Sequence, residues 1–354
     1  MAKIATELQR ALAARAVSGS PGEAAPRVLA RGDGWTVADV ICTSGPEDRS
    51  FEERHSHYAI AIVVAGTFQY RSPLGGGLMT PGALMLGNPG QSYECGHEHG
   101  RGDRCVAFWY EPDYFDRLAS GTGPRGARAG FRVHRLPPLR LFSRLIAGAA
   151  NGAVGSPDTP WEEIGVALAT GASGAGAGAG AGGGDVRALP PNAVARVTQT
   201  VRLMERHPDA RLTLARLARE ARLSPYHFLR TFERVTGATP HQFILRARLR
   251  EAALRLASEA KSVLETALDC GFGDVSNFNR AFRAEFGVSP RVYRRAHGQR
   301  LPSSGGVVDT ARRRARALAR GDPRSVEVDC GADQTQPDRS IGDRRPHARP
   351  RRGE

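Results

Sequence analysis

The stretch Cys270-Gly-Phe-Gly-Asp-Val-Ser-Asn-Phe-Asn-Arg-Ala-Phe-Arg-Ala-Glu-Phe286 decides how the C-terminal part of this chain folds. Phe278, Phe282 and Phe286 recur every four residues, the spacing that stacks side chains on one face of a helix. Val275, Ser276, Asn277, Asn279, Arg280 and Arg283 fall on its other faces. Cys270-Gly-Phe-Gly-Asp274 reads as a turn, and Val263, Leu264, Ala267 and Leu268 before it as the buried side of a short helix. The result is helix, tight turn, helix. Gly287-Val-Ser-Pro290 closes the unit, and Pro290 to Arg295 adds a last helical turn.

The same plan occurs once more upstream. Thr213 can cap a helix that buries Leu214, Leu217 and Ala218. Arg222-Leu223 turns the chain, and Ser224 caps a second helix opened by Pro225 at its first position. Phe228 and Phe232 point into the core, with Tyr226, His227, Leu229, Arg230 and Glu233 around the rest, and Gly237 ends the helix. A preceding helix, with Val194, Val197, Val201 and Met204 on one face, stops at Pro208-Asp209. Between the two units Pro240 opens a long connecting helix carrying Phe243, Ile244, Leu249, Ala252, Ala253 and Leu256.

Ser224-Pro-Tyr-His-Phe-Leu-Arg-Thr-Phe232, Gly237-Ala-Thr-Pro240 and the segment Cys270 to Arg294 together resemble the AraC/XylS family of bacterial transcription regulators. The resemblance covers about residues 193–297 and implies an all-α double helix-turn-helix domain. It also implies double-stranded promoter DNA and RNA polymerase as partners, and an N-terminal sensing domain. Carried over residue by residue, base-edge contacts fall to Tyr226, Leu229 and Arg230 in the first unit. In the second they fall to Val275, Ser276, Asn277, Asn279 and Arg280. The chemistry agrees: Arg can bond guanine O6 and N7 together, Asn can pair with adenine, and apolar groups can meet thymine methyls. Leu229 departs from the family, where polar residues are common. Arg246, Arg250 and Arg294 read as phosphate contacts or solvated charge.

Residues 34–110 have a different character. Trp35 to Ile41 alternates like a strand. Tyr58 to Tyr70 is a β-branched and aromatic run broken by Ala65-Gly66, and Leu84 to Leu86 and Cys105 to Tyr110 are further strands. Gly and Pro clusters punctuate them at short intervals, as in a β-barrel or sandwich. Pro112 to Leu118, Phe142 to Ala150 and Trp161 to Ala169 read as helices. His55-Ser-His57, Gly66, Pro81-Gly82 and Pro89-Gly90 resemble the cupin-like sensor domains of the same family. A His-x-His pair on a strand sets both rings on one face. With Cys95, His97 and His99, and Cys105 nearby, these residues have the donor chemistry to hold Zn²⁺ or Fe²⁺. The pattern departs from an enzymatic cupin: Ala59, Ile60 and Ala61 stand where a Glu is usual, and Gln91-Ser92-Tyr93 where a His is. An effector pocket would be lined by His55, His57, Phe68 and Trp109.

The expected organisation is α+β and multidomain. An N-terminal helix and linker (1–33) precede a cupin-like β-barrel with flanking helices (34–168). A flexible Gly/Ala linker (169–190) leads to the double helix-turn-helix domain (191–297) and a basic disordered tail (298–354), with a short helix around Ala311 to Ala319. Of the net charge of +14, residues 1–192 carry none, 193–297 carry +9 and 298–354 carry +5. A neutral half joined to a basic half suits a sensor joined to a polyanion binder. Only Lys3 and Lys261 are lysines, the mark of a GC-rich genome rather than of function. Five scattered cysteines form no secreted disulfide framework, and no apolar run suits a signal peptide or membrane span, so a cytoplasmic protein is expected.

The expected function is sequence-specific transcription regulation, controlled by a small-molecule effector at the N-terminal domain and open to homodimerisation. No resident cofactor and no catalysis are expected. The alternative is a metal-dependent cupin enzyme, or a metal or redox sensor, tethered to DNA. A zinc-thiolate DNA-repair methyltransferase is excluded by the lack of closely spaced Cys pairs, and no Ser/His/Asp set, P-loop or dinucleotide fingerprint stands out.

Overall fold

The structure, a computed structural model, describes residues 3–119, 130–178 and 189–298. Helix α1 (Lys3–Ser18) lays Leu8 and Leu12 against inner strands of the larger sheet, near Ala65 and Ile41. Ten strands follow: β1 (Ala24–Gly32), β2 (Trp35–Cys42), β3 (Phe51–Arg54), β4 (Tyr58–Gly66), β5 (Phe68–Ser72), β6 (Gly75–Met79), β7 (Leu84–Gly87), β8 (Ser92–Gly96), β9 (Asp103–Tyr110) and, beyond α2 (Pro112–Ala119), β10 (Arg135–Leu136). They make two antiparallel sheets, of order β1-β2-β9-β4-β7-β10 and β3-β8-β5-β6. No ladder joins the two sheets among the described residues, so the expected closed barrel is a pair of facing sheets.

Residues 24–32 were expected in a linker and instead form β1. Gly32 faces Trp35 across the two-residue turn Asp33-Gly34, and Gly34 sits at φ +82°. Asp-Gly between strands is a strong hairpin signal, and here it is Gly34, not Asp33, that takes the left-handed backbone. Pro26 is tolerated because β1 lies at a sheet edge, where a missing N–H costs no ladder bond.

The central strands β4 and β9 of the six-stranded sheet are buried on both faces, which explains why Tyr58–Gly66 reads as a continuous apolar run rather than an alternating one. Ile60, Ile62, Val106 and Phe108 pack under Phe115, Ile146, Ile164 and Leu168 of the covering helices. Ala61, Val63, Cys105 and Ala107 point the other way, onto Phe68, Tyr70 and Met79 of the second sheet. Period two sends alternate residues to opposite faces, so one strand serves two cores. On the helix side Arg104 is fully buried. It holds Asp39 through Nε–Oδ1 (2.7 Å) and Nη2–Oδ2 (2.9 Å), and donates to Ala153 O at 3.2 Å.

After a single 3₁₀ turn (Arg140–Phe142) come α3 (Ser143–Ala153) and α4 (Trp161–Gly178). The first part of the expected flexible linker is helical instead, because α4 runs through the first half of the Gly/Ala repeat. Packing overrides the poor helix propensity of glycine, which costs about 1 kcal/mol per residue against alanine. Ala169 and Ala172 are buried, and a Cβ on Gly171 would stand 3.0 Å from the Phe142 ring. The rest of that repeat, and the basic tail with the short helix expected around Ala311 to Ala319, lie outside the described residues apart from Gly298.

The remaining helices are α5 (Pro191–Arg206), α6 (Leu214–Glu220), α7 (Pro225–Thr236), α8 (Pro240–Ser258), α9 (Val263–Asp269), α10 (Val275–Phe286) and α11 (Pro290–His297). They enclose two cores. Val197, Val201, Met204, Leu217, Phe228, Phe232 and Phe243 form the first. Leu249, Ala252, Leu256, Ala267, Phe272, Phe278, Phe282 and Phe286 form the second. Leu214, Leu264 and Leu268 were expected in these cores but are 40%, 51% and 52% exposed, on the outer side of their short helices.

The helical half docks on the β half. Leu78 of β6 enters the first helical core and Ala147 of α3 the second. Arg250 Nη2 donates to Pro81 O (3.1 Å), and the buried Arg135 donates to Leu78 O (3.3 Å) and Val235 O (3.0 Å). Burial pushes both guanidiniums down to about 10. Arg246 reaches Pro138 O and Glu285. Arg246 and Arg250, expected as phosphate contacts or solvated charge, are thus docking residues, because α8 faces the β half.

Asp39→Ala leaves Arg104 buried with half its pairing. Removing one member of a buried pair costs about 3–5 kcal/mol. Chemical denaturation of the variant is expected to show a loss near the lower figure, since Glu7 also reaches Arg104.

Candidate nucleic-acid interface

Helices α7 and α10 each start on a side-chain cap. Ser224 Oγ accepts from His227 N (3.3 Å) at the head of α7, and Asp274 Oδ1 accepts from Asn277 N (2.7 Å) at the head of α10. Such caps satisfy N–H groups that the helix itself leaves unpaired. Both helices end on a glycine in the left-handed region, Gly237 at φ +75° and Gly287 at φ +74°. The turns that aim them differ. The first carries Arg222, a non-glycine at φ +53°, while the second has Gly271 at φ +81° and an additional glycine, Gly273.

With Phe228 and Phe232 turned inward, α7 leaves Tyr226 62% exposed and Arg230 exposed beside it. Arg230 Nη1 donates to Tyr226 Oη at 2.9 Å, and its guanidinium carbon lies 5.7 Å from the ring centroid. The pair presents a fixed fork of donors to whatever lies outside. Leu229 is half-buried, so only part of its side chain is available to a ligand. On α10, Ser276, Asn277, Asn279 and Arg280 are exposed and Val275 is half-buried. Two short helices thus expose two guanidiniums, two amides and two hydroxyls on capped supports.

The histidines of the β half do not assemble as expected. His55 and His57 lie in the connection between β3 and β4, not on a strand, so the side-chain alternation expected of a strand does not apply to them. His55 is buried, stacks on Tyr93 with ring centroids 4.1 Å apart, and lies 3.1 Å from Tyr70 Oη. Burial lowers it to about 4, so it is neutral. His57 instead pairs with Glu111 at 3.1 Å. His99 sits 3.9 Å from Glu98. Only His97 joins a cluster of donors, with Cys42 and Asp103, neither of which stood out in the sequence. Burial alone would push His97 down, but its hydrogen bonds to Asp103 and Cys42 outweigh that and lift it to about 9. Burial and nearby acidic groups raise the thiols of Cys95 and Cys105.

The expected effector lining divides as well. His57 and Trp109, with Trp35 and Glu111, border an open pocket of about 300 Å³. Phe68 is buried between the sheets. A second groove of about 570 Å³ follows the junction of the two halves, past Val64, Pro81, Glu205 and Arg250.

The helix-turn-helix domain family matches residues 217–296. The probable transcriptional regulator LumQ of Photobacterium leiognathi is 37% identical over 90 residues, which is 25% of this chain and 36% of that protein. The HTH-type transcriptional regulator MtrA of Neisseria gonorrhoeae is 34% identical over 93 residues, 26% of this chain and 31% of that protein. A crystal structure of the DNA-binding domain of AdpA with a target DNA aligns at 30% identity over 31% of this chain and 98% of that one, with a TM-score of 0.29. Residues 217–296 accordingly form a helix-turn-helix domain. The match spans about a third of these curated relatives' length.

At the junction, Glu205 of α5 accepts from Gly66 N at 3.1 Å. Burial raises its carboxyl from 4.5 to about 7, against the pull of that bond and of Arg202 and Arg250. An exposed carboxyl loses its proton first, so the folded state is relatively most stable below about pH 4.3 and weakens as pH rises toward the folded value. Thermal unfolding of wild type beside Glu205→Gln is expected to show the variant gaining on wild type from pH 5 to 7 and levelling above. Asp274→Ala, which uncaps α10, is expected to lower stability by about 1 kcal/mol in denaturant titration.

Proposed function

We propose that this chain is a sequence-specific, DNA-binding transcription regulator rather than an enzyme. The observation that carries the reading is the pair of capped recognition helices, each exposing polar and cationic side chains from a buried phenylalanine core. In this reading α7 and α10 enter successive major-groove segments about 34 Å apart. Arg230 and Arg280 take guanines, Asn277 and Asn279 adenines, and Tyr226, Leu229, Val275 and Ser276 supply apolar or hydroxyl contacts. The net +9 of residues 193–297 adds salt-sensitive attraction to phosphates.

The β half would act as the regulatory domain, taking a small-molecule effector or a second copy of the chain. RNA polymerase would be the partner on the promoter, and the cytoplasm the place of action. Among the described residues no helix is long and apolar enough to cross a membrane. The docked interface makes undocking of the helical half the natural regulatory step, with Arg135, Arg246 and Arg250 as its latch.

Selection of bound duplexes from a random-sequence pool tests the reading. Wild type is expected to enrich a bipartite motif with half-elements about one helical turn apart. Arg230→Ala and Arg280→Ala are each expected to relax one half, losing about 1–3 kcal/mol of discrimination, or roughly 5- to 150-fold. Absence of any enriched motif at moderate salt would overturn it.

A further inference from the structure

The inner face of the β half gathers a set of donors that the DNA-binding reading leaves unused. Cys42 ends β2 directly opposite Asp103, the first residue of β9, and Cys105 lies two residues further along that strand. Period two therefore puts all three on one face of the six-stranded sheet. His97 joins them from the loop 97–102. A Cys42 sulfur, a His97 ring nitrogen and an Asp103 carboxylate oxygen lie within 4.8 Å of one another. These residues are only 4%, 5% and 5% exposed. His97 Nε2 is 2.8 Å from Asp103 Oδ1, and the Cys105 thiol donates to Asp103 Oδ2 at 3.3 Å.

Asp103 is balanced by its bonded partner His97, and the Cys105 thiol beside it holds its proton, so a cation enters this cluster by displacing protons. Sulfur and imidazole beside one carboxylate suit a borderline-soft ion, not Mg²⁺ or Ca²⁺. Tetrahedral zinc with bonds of about 2.0–2.3 Å sets its ligand atoms roughly 3.5 Å apart, so Cys42, His97 and Asp103 close in on the ion and Cys105, which stands outside their cluster against Asp103 Oδ2, swings in as the fourth ligand. We propose that Cys42, His97, Asp103 and Cys105 form a binding site for a divalent cation of the zinc class. Loading expels both thiol protons and the proton shared between His97 and Asp103, leaving two thiolates, a carboxylate and a neutral imidazole around the ion.

The site adjoins the helical half by two routes. Arg202 of α5 donates to Arg101 O at 2.9 Å, within the loop that carries His97. Gly66, paired with Asp103 across the β4–β9 ladder, donates to Glu205 of the same helix. Drawing the ligands together therefore steadies both anchors of α5, whether or not DNA is bound.

The test uses reduced, chelator-stripped, full-length protein titrated with Co²⁺ and then Zn²⁺. One equivalent of Co²⁺ is expected to give intense tetrahedral visible bands and a near-ultraviolet thiolate band, and one equivalent of Zn²⁺ to abolish both. Cys42→Ser and His97→Ala are each expected to weaken binding at least about tenfold. The combined Cys95→Ala, Cys270→Ala, Cys330→Ala variant keeps only Cys42 and Cys105 and is expected to retain the thiolate band. That readout holds even if a ligand substitution unfolds the chain. Zinc is also expected to slow amide exchange across 194–206. Substoichiometric binding, an octahedral cobalt spectrum or loss of the thiolate band in the combined variant would overturn the site. Unchanged exchange in α5 would overturn its link to the helical half.

Discussion

One helix has to satisfy three neighbours, and the architecture depends on how α8 does so. Its nineteen residues give Phe243 and Ile244 to the first helical core and Leu249, Ala252, Ala253 and Leu256 to the second. A third side turns Arg246 and Arg250 toward carbonyls of the β half. Arg248 donates to Pro208 O, Ala210 O and Gly271 O, tying the chain before α6 to the turn before α10. A helix buried on several sides cannot keep a single apolar stripe. Its arginines are therefore structural: long side chains that carry a donor fork across a gap and meet backbone oxygens the β loops leave open. Because a helix is stiff and rises about 1.5 Å per residue, α8 also fixes the separation of α7 and α10.

The helical half was legible because its signals are local. Ser224-Pro225 and Thr239-Pro240 mark helix starts, and Phe278, Phe282 and Phe286 mark a buried face, whatever surrounds them. The β half was legible only in part. Strands β2, β4, β7 and β9 announced themselves through β-branched and aromatic runs. Strands β3, β6 and β8 are short and carry Glu, Arg or Gly, so composition hid them. The turn Asp33-Gly34 was a readable signal for β1 that Pro26 obscured. Metal-site reasoning failed for a geometric reason: sequence proximity grouped His55 with His57, while cross-strand pairing set Cys42 beside Asp103, sixty-one positions away.

Composition misled at the Gly/Ala repeat too. Glycine and alanine bury little surface, which reads as a linker, yet smallness is what lets α4 lie close against Phe142. The seating of α4 matters beyond that ring. Its Ile164 and Leu168 roof the six-stranded sheet, over the same core that holds Phe108 and Phe115.

The two helix-turn-helix units are not copies. One turns on Arg222 and the other on Gly271 and Gly273, and their outer faces carry Tyr226 and Arg230 in one, Asn277, Asn279 and Arg280 in the other. Fused in fixed order on α8, they give a single chain a heading. A symmetric dimer reads a palindrome equally in either sense, whereas this pair, bound to DNA as proposed, would distinguish a site from its inversion. On DNA, reversing the site would carry the β half to the opposite side, so the position of everything attached to the protein would be written in the orientation of the sequence it reads.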